Sequence, residues 1–190
     1  HWIPRRVTRL EVAREATAEN VLHTPAGSVR AKHLLIAGGA LLGKLIPALD
    51  RKLMPIGTYI VTTQPLGEDR AHSLIRNRAA VADMNWILDY FRVLGDTRLL
   101  FGGRVSYSGL DPFDSGRVLR RRIGIVFPQL TEARVEYAWG GYLDITPNRA
   151  PHFGRLGPNA YFIQGLSGHG MVISGIAGRL ASEAIAGSAE

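Results

Sequence analysis

Apolar and polar positions change rhythm several times along this chain. Residues 7–12 alternate weakly, and residues 21–23 and 28–30 flank Thr24, Pro25, Ala26 and Gly27, a turn composition that predicts a β-hairpin. His33, Leu34, Leu35, Ile36 and Ala37 then form an unbroken apolar run closed by Gly38 and Gly39. Such a run predicts a strand covered on both faces, central in its sheet and parallel to a neighbour. Residues 56–63 are β-branched and aromatic between Pro55 and Pro65, and predict another strand. Further strands are predicted at 87–93, 98–101, 133–144 and 161–164.

The period lengthens to that of a helix in 115–127, where Leu119, Ile123, Val126 and Phe127 share one side. Asp111 and Asp114 stand at the favourable N-terminal end, and Pro128 is the stop. A last helix is predicted over 169–185. Gly170, Ser174, Gly178 and Ala181 line one side of it, a spacing that predicts close approach to neighbouring backbone. No internal repeat or linker composition interrupts the pattern, so patterning alone predicts one compact unit.

Composition narrows the classes. The chain has 190 residues, 46% of them hydrophobic and 21% charged, which excludes disorder and predicts a soluble globular protein. Its apolar stretches fall short of the ~20 residues needed to span a bilayer, so no membrane partner is expected. The absence of cysteine excludes disulfides, thiolate metal sites and cysteine nucleophiles, and fits a cytoplasmic location. The sequence opens at His1 without an initiator methionine or a signal-like segment, which reads as a fragment or processed product. A net charge of +7 and the cluster Arg117, Arg120, Arg121 and Arg122 invite a nucleic-acid reading. No aromatic-interleaved basic stripe or binding motif accompanies them, so a solvated helix face is expected and no nucleic-acid partner.

Three motif readings fail on single residues. Gly38, Gly39 and Gly43 follow a strand, but the dinucleotide fingerprint needs glycine where Ala40 stands, and residues 59–64 lack the acidic ribose partner. A nucleophile elbow around Ser167 needs glycine where His169 stands, and no later histidine is available as a base. The six histidines, at 1, 23, 33, 72, 152 and 169, show no metal-ligand spacing, so no metal is expected. What remains is the turn Gly165, Leu166, Ser167, Gly168, His169, Gly170 between a strand and a helix. It concentrates backbone N–H groups at a helix N-terminus, which suits negative charge, such as that at the N1 and C2 carbonyl region of a reduced flavin. A tight connection with Ser167 as a cap is the equally open alternative.

The stretch Ala138-Trp139-Gly140-Gly141-Tyr142-Leu143-Asp144-Ile145-Thr146-Pro147-Asn148-Arg149-Ala150-Pro151-His152-Phe153-Gly154-Arg155, followed by Gly165 to Met171, resembles the C-terminal end of FAD-dependent amine oxidoreductases. These form the superfamily of D-amino-acid, glycine and sarcosine oxidases. Leu53 to Leu66, Asp89-Tyr90-Phe91-Arg92 and Arg98 to Arg104 resemble its gamma-glutamylputrescine oxidoreductase subgroup. The resemblance implies an α/β fold with α+β character: a large mixed-sheet substrate domain with helices, plus C-terminal strand and helix elements of an FAD-binding domain. It implies that 1–50 and 156–190 belong to the FAD-binding domain and 51–155 to the substrate domain.

The implied cofactor is FAD, met by Ala37, Gly38, Gly39, Gly165, Leu166, Ser167, Gly168, His169, Gly170 and Met171. The implied substrate is a small-molecule amine or amino acid oxidised at its C–N bond to an imine, oriented by Tyr90 and Arg92. A bidentate guanidinium suits a substrate carboxylate; the alternative is an Arg92 held by a structural aspartate. Val172 stands where sarcosine oxidases carry a carboxylate-binding lysine, and the chain has no cysteine near Gly141 to link a flavin. Asn148 stands where many relatives have aspartate. The missing ADP-binding fingerprint implies an N-terminal FAD-binding half as partner, and a fragment inactive by itself. The competing class is a flavin-free β-rich binding module descended from the family.

Overall fold

The turn at 24–27 joins two strands as its composition predicts. The computed structural model describes residues 4–107 and 114–188; His1 and Asp111 lie outside the described residues. In chain order the strands are β1 (Arg9–Glu11), β2 (Asn20–Thr24), β3 (Gly27–Ala31), β4 (Leu34–Ile36), β5 (Met54–Thr63), β6 (Val81–Ala82), β7 (Tyr90–Val93), β8 (Leu99–Ser106), β9 (Val135–Ile145), β10 (His152–Gly157) and β11 (Ala160–Gln164). The α-helices are α1 (Pro47–Asp50), α2 (Glu68–Leu74), α3 (Ser115–Val126) and α4 (Gly170–Ala186). Among the described residues no helix is long and apolar enough to cross a membrane.

The chain divides into two compact units, where patterning alone predicts one. The first combines the chain up to Pro55 with the part from Leu143 onward; the second runs from Ile56 to Tyr142. Strands β5 and β9 carry the chain between them, so no linker composition marks the junctions.

In the first unit, β1, β2 and β3 form an antiparallel sheet, and a second sheet has the order β10, β11, β4. Asn20 is fully buried. Its amide accepts from the Ala13 N–H at 3.1 Å and donates to Asn159 Oδ1 at 3.1 Å, satisfying polar groups that would otherwise be stranded. Strand β4 is parallel to β11, as expected, but it is not central. Among the described residues β11 is its one neighbour, and Leu35 is 41% exposed. An apolar run records the capacity for burial and not what covers it. Helix α4 buries Ala177 and Ala181, and the Tyr161 hydroxyl donates to the Ala184 carbonyl at 3.2 Å. Ser174 and Gly178 are exposed, and a Cβ on Gly178 would meet nothing within 4 Å. Among the described residues the small-residue side is thus packed at Ala181 but open at Ser174 and Gly178.

In the second unit five strands run in the order β6, β7, β8, β5, β9, with α3 on one side. Val61, Val93, Leu99 and Phe101 pack with Leu119 and Ile123 of α3 and with Phe127 and Leu130. Phe91 stacks on Phe101 with ring centroids 5.6 Å apart and meets Phe127 edge-on at 4.9 Å. Asp114 caps α3 by accepting the Arg117 N–H at 2.8 Å.

Strand β8 outruns its predicted end at 101, because Gly102 and Gly103 continue the ladder rather than close it. Strand β7 begins later than the predicted 87. Asp83 Oδ1 accepts the N–H groups of Asn85 at 3.0 Å and Asp89 at 3.1 Å, folding Met84, Trp86 and Leu88 into an exposed loop. Desolvation opposes the charge on Asp83, but those N–H groups, the Asn85 amide and the Arg122 charge outweigh it and hold its pKa below the ordinary carboxylate value.

Candidate functional site

Residues expected at a cofactor and residues expected at a substrate lie in different units. In the first unit, β11 ends at Gln164 and the chain turns through Gly165, Leu166, Ser167, Gly168 and His169 into α4. Gln164 is buried, and its amide donates to the Leu49 carbonyl at 3.1 Å and contacts His152 Nδ1 at 3.0 Å. Gly165, Ser167 and Gly168 all have left-handed backbone, with φ of 66°, 51° and 89°. At Gly165 the requirement is absolute, since a Cβ would sit 2.3 Å from Thr146 Cγ2. Ser167 tolerates the strain because its N–H reaches the Asp144 carbonyl at 3.1 Å and its hydroxyl donates to the Gly165 carbonyl at 3.2 Å.

The turn opens on a helix end with free donors. His169 caps α4 without a side-chain hydrogen bond, and the first α4 backbone bond recorded runs from Ile173 N–H to the His169 carbonyl at 3.1 Å. The N–H groups of Gly170, Met171 and Val172 therefore lack intrahelical partners. Ser167 is not their cap, because its hydroxyl turns back toward Gly165. Met171 is 95% exposed and Val172 74%, so apolar side chains flank these donors. A Cβ on Gly168 would find only Leu143 Cδ1, at 4.0 Å. Open space, unused N–H groups and apolar flanks fit a flavin ring, a flat apolar body with a polar edge that becomes anionic on reduction. Ala37 and Gly38 are exposed and Gly39 half-buried, and Gly39 lies beside Asp144.

In the second unit, the register sets a row Ile60, Gly102, Tyr90 and a row Thr62, Leu100, Arg92 across β5, β8 and β7. Phe91 points to the helix side, so Tyr90 and Arg92 share the opposite face. The Tyr90 ring lies over Gly102, where a Cβ would be 2.1 Å from two ring carbons, and its hydroxyl reaches Thr58 Oγ1 at 3.5 Å. Thr62 Oγ1 is buried without a hydrogen-bond partner.

Arg92 is exposed, and among the described residues no ion pair holds it. The expected alternative, a structural aspartate on Arg92, is not seen among the described residues. Asp89, 3% exposed, pairs with Arg122 of α3. Arg117, Arg120 and Arg121 line an open pocket of about 340 Å³ with Gly124 and Thr131. Among the described residues no cluster of three histidine, aspartate or glutamate side chains is arranged to hold a metal ion.

Sequence reasoning did not single out Thr58 or Asp144, which contact Tyr90 and Gly165. The glycine pair inside β8 was the available sign of a close approach, and a lone acid at the end of an aromatic strand was the sign for Asp144.

A strand, a turn of left-handed residues and an uncapped helix form the arrangement by which α/β folds receive an electron-rich or anionic cofactor group. The chain belongs to the FAD dependent oxidoreductase family, whose model matches residues 3–184. It is 44% identical over 175 residues to the gamma-glutamylputrescine oxidoreductase of Escherichia coli strain K12, covering 92% of this chain and 41% of that protein. It is 42% identical over 142 residues to the probable oxidoreductase OrdL of Haemophilus influenzae, covering 75% of this chain and 32% of that one. The chain thus spans less than half the length of these curated relatives. Its fold is shared with solved structures: glycine oxidase from Bacillus cereus matches with a TM-score of 0.77 at 20% identity, over 97% of this chain and 50% of that one. L-proline dehydrogenase from P. horikoshii matches with a TM-score of 0.74, also at 20% identity, over 97% of this chain and 50% of that one.

Proposed function

We propose that this chain is part of an FAD-dependent oxidoreductase that oxidises the C–N bond of an amine or amino acid, gamma-glutamylputrescine or a close analogue, to an imine that water then hydrolyses. The observation that carries the reading is the uncapped start of α4 behind the open turn at Gly168. FAD, when bound, supplies the acceptor for the hydride equivalent leaving the carbon next to the substrate nitrogen. The first unit is assigned to the cofactor. The N–H groups of Gly170 and Met171 hold the negative charge that develops on reduction, and Gly38, Gly39, Leu166 and Gly168 admit close backbone approach. The side chains of His169 and Met171 border the turn.

The second unit is assigned to the substrate. Tyr90, supported on Gly102 and directed toward Thr58, offers a hydroxyl, and Arg92 offers a planar fork for a carboxylate. Both orient the amine. Neither glycine turn has the spacing that cradles a pyrophosphate, so the ADP part of FAD is assigned to residues outside this span.

The test is spectroscopic. The full-length protein should purify with flavin absorption bands that bleach anaerobically on adding gamma-glutamylputrescine. Colourless protein that stays colourless with added FAD would refute the reading and favour a flavin-free binding module.

A further inference from the structure

We infer that Asp144 is the positioning residue of the cofactor turn, joining the Gly165 to Gly168 segment to Gly39 through one carboxylate. The inference rests on the reading that this turn meets the flavin. Asp144 is the penultimate residue of β9, and a charged side chain is poorly suited to a strand end beside Ile145, which is buried. It has no ion pair among the described residues, and its charge is met by backbone instead. Oδ2 accepts the Gly165 N–H at 2.7 Å, a charge-assisted bond. Its main-chain carbonyl accepts the Ser167 N–H at 3.1 Å. One residue therefore ties down two of the three left-handed positions of the turn.

The same carboxylate reaches the other glycine turn. A Cβ on Gly39, itself at φ 48°, would lie 2.9 Å from Asp144 Oδ2. Gly39 is thus the residue type that admits Asp144 between the two turns. The neighbouring bonds close the unit: the Thr146 N–H donates to Ser167 Oγ at 3.4 Å and the Ser167 hydroxyl donates to the Gly165 carbonyl. With the Asp144 carboxylate removed, the Gly165 N–H has no acceptor and nothing fills the space beside Gly39. The turn relaxes and the N–H groups of Gly170 and Met171 lose their fixed direction. Asparagine in its place keeps an acceptor oxygen of the same reach without the charge.

The experiment compares Asp144→Ala, Asp144→Asn and Gly168→Val in the full-length holoenzyme, below the melting temperature of each. Amide exchange of the 165–167 segment and FAD affinity are measured beside far-UV circular dichroism. Asp144→Ala should speed exchange there and weaken FAD about tenfold or more, the scale of a lost charge-assisted bond. Asp144→Asn should restore most of both. A folded Asp144→Ala enzyme that binds FAD within threefold of wild type, while Gly168→Val does not, overturns the role of Asp144 and leaves the flavin reading standing. FAD affinity unmoved by both Asp144→Ala and Gly168→Val overturns the flavin reading and this inference with it. A drop in melting temperature without rescue by asparagine, at unchanged FAD affinity, makes Asp144 merely structural.

Discussion

Replacing Gly102 by alanine tests whether Tyr90 is seated by the sheet. The new methyl would lie 2.1 Å from the Tyr90 Cε2 and Cζ atoms and 2.5 Å from the hydroxyl oxygen. Carbon atoms pack at ~3.5–4.0 Å, so the ring must lift by roughly 1.5 Å, which takes it off the strand and away from Thr58. Overpacking of this size costs about 1–3 kcal/mol. For a chain of this length that is roughly 2–4 °C of melting temperature per kcal/mol. The assay is a double-mutant cycle: Gly102→Ala is measured alone and again in a Tyr90→Ala background. If the clash acts through the ring, the second alanine should cost little once the ring is gone. An equal cost in both backgrounds refutes the seating of Tyr90 on Gly102, and the proposed orienting role of its hydroxyl with it.

Arg122→Ala leaves the Asp89 carboxylate buried without its cation and should cost about 3 kcal/mol, with partial recovery in the Asp89→Asn, Arg122→Ala double variant, read by thermal unfolding. Arg92→Lys keeps the charge but loses the planar fork. It should weaken a carboxylate-bearing amine substrate about ten- to a hundredfold in apparent affinity while the melting temperature holds, and equal losses for an uncharged analogue would remove Arg92 from the substrate site. Asp83 holds its loop as the carboxylate, with a folded pKa lowered by its N–H donors. The native state therefore binds fewer protons, and the contribution is full above the unfolded pKa and lost as pH falls through the folded one. Fluorescence of Trp86 should report loosening of residues 84–88 in the acid range below the ordinary carboxylate pKa, and Asp83→Asn should abolish that transition; an unchanged profile in the variant would sink the assignment.

Local chemistry was legible wherever the cause of structure is local. The hairpin at 24–27, the apolar side of α3 with its Asp114 cap, and strand β5, which begins at Met54 and so takes in Pro55, all rest on residues close in sequence. The failures share a different cause. The apolar run at 33–37 could not show that among the described residues β4 pairs with β11 alone, because that partner lies more than a hundred residues later. Strand β10 went unread, since His152, Phe153, Gly154 and Arg155 show no apolar alternation and are ordered by pairing with β11. Ile87 and Leu88 have strand propensity, yet the Asp83 carboxylate claims the backbone around them first.

The candidate site divides along the same line. The glycine turn before α4 was visible because left-handed backbone and an open helix start leave a mark in residue type. What makes it a defined surface was not visible. Asp144 reaches it from the far end of β9, and nothing in the spacing of an aspartate and a Gly-Leu-Ser-Gly segment some twenty residues on specifies a hydrogen bond between them. Tyr90 and Arg92 repeat the point in the second unit. Alternation put them on one face, but only the register of β7 on β8 places Gly102 under the Tyr90 ring and Leu100 opposite Arg92. Residue types chose the chemistry available to this chain, and long-range strand register chose which of those groups meet.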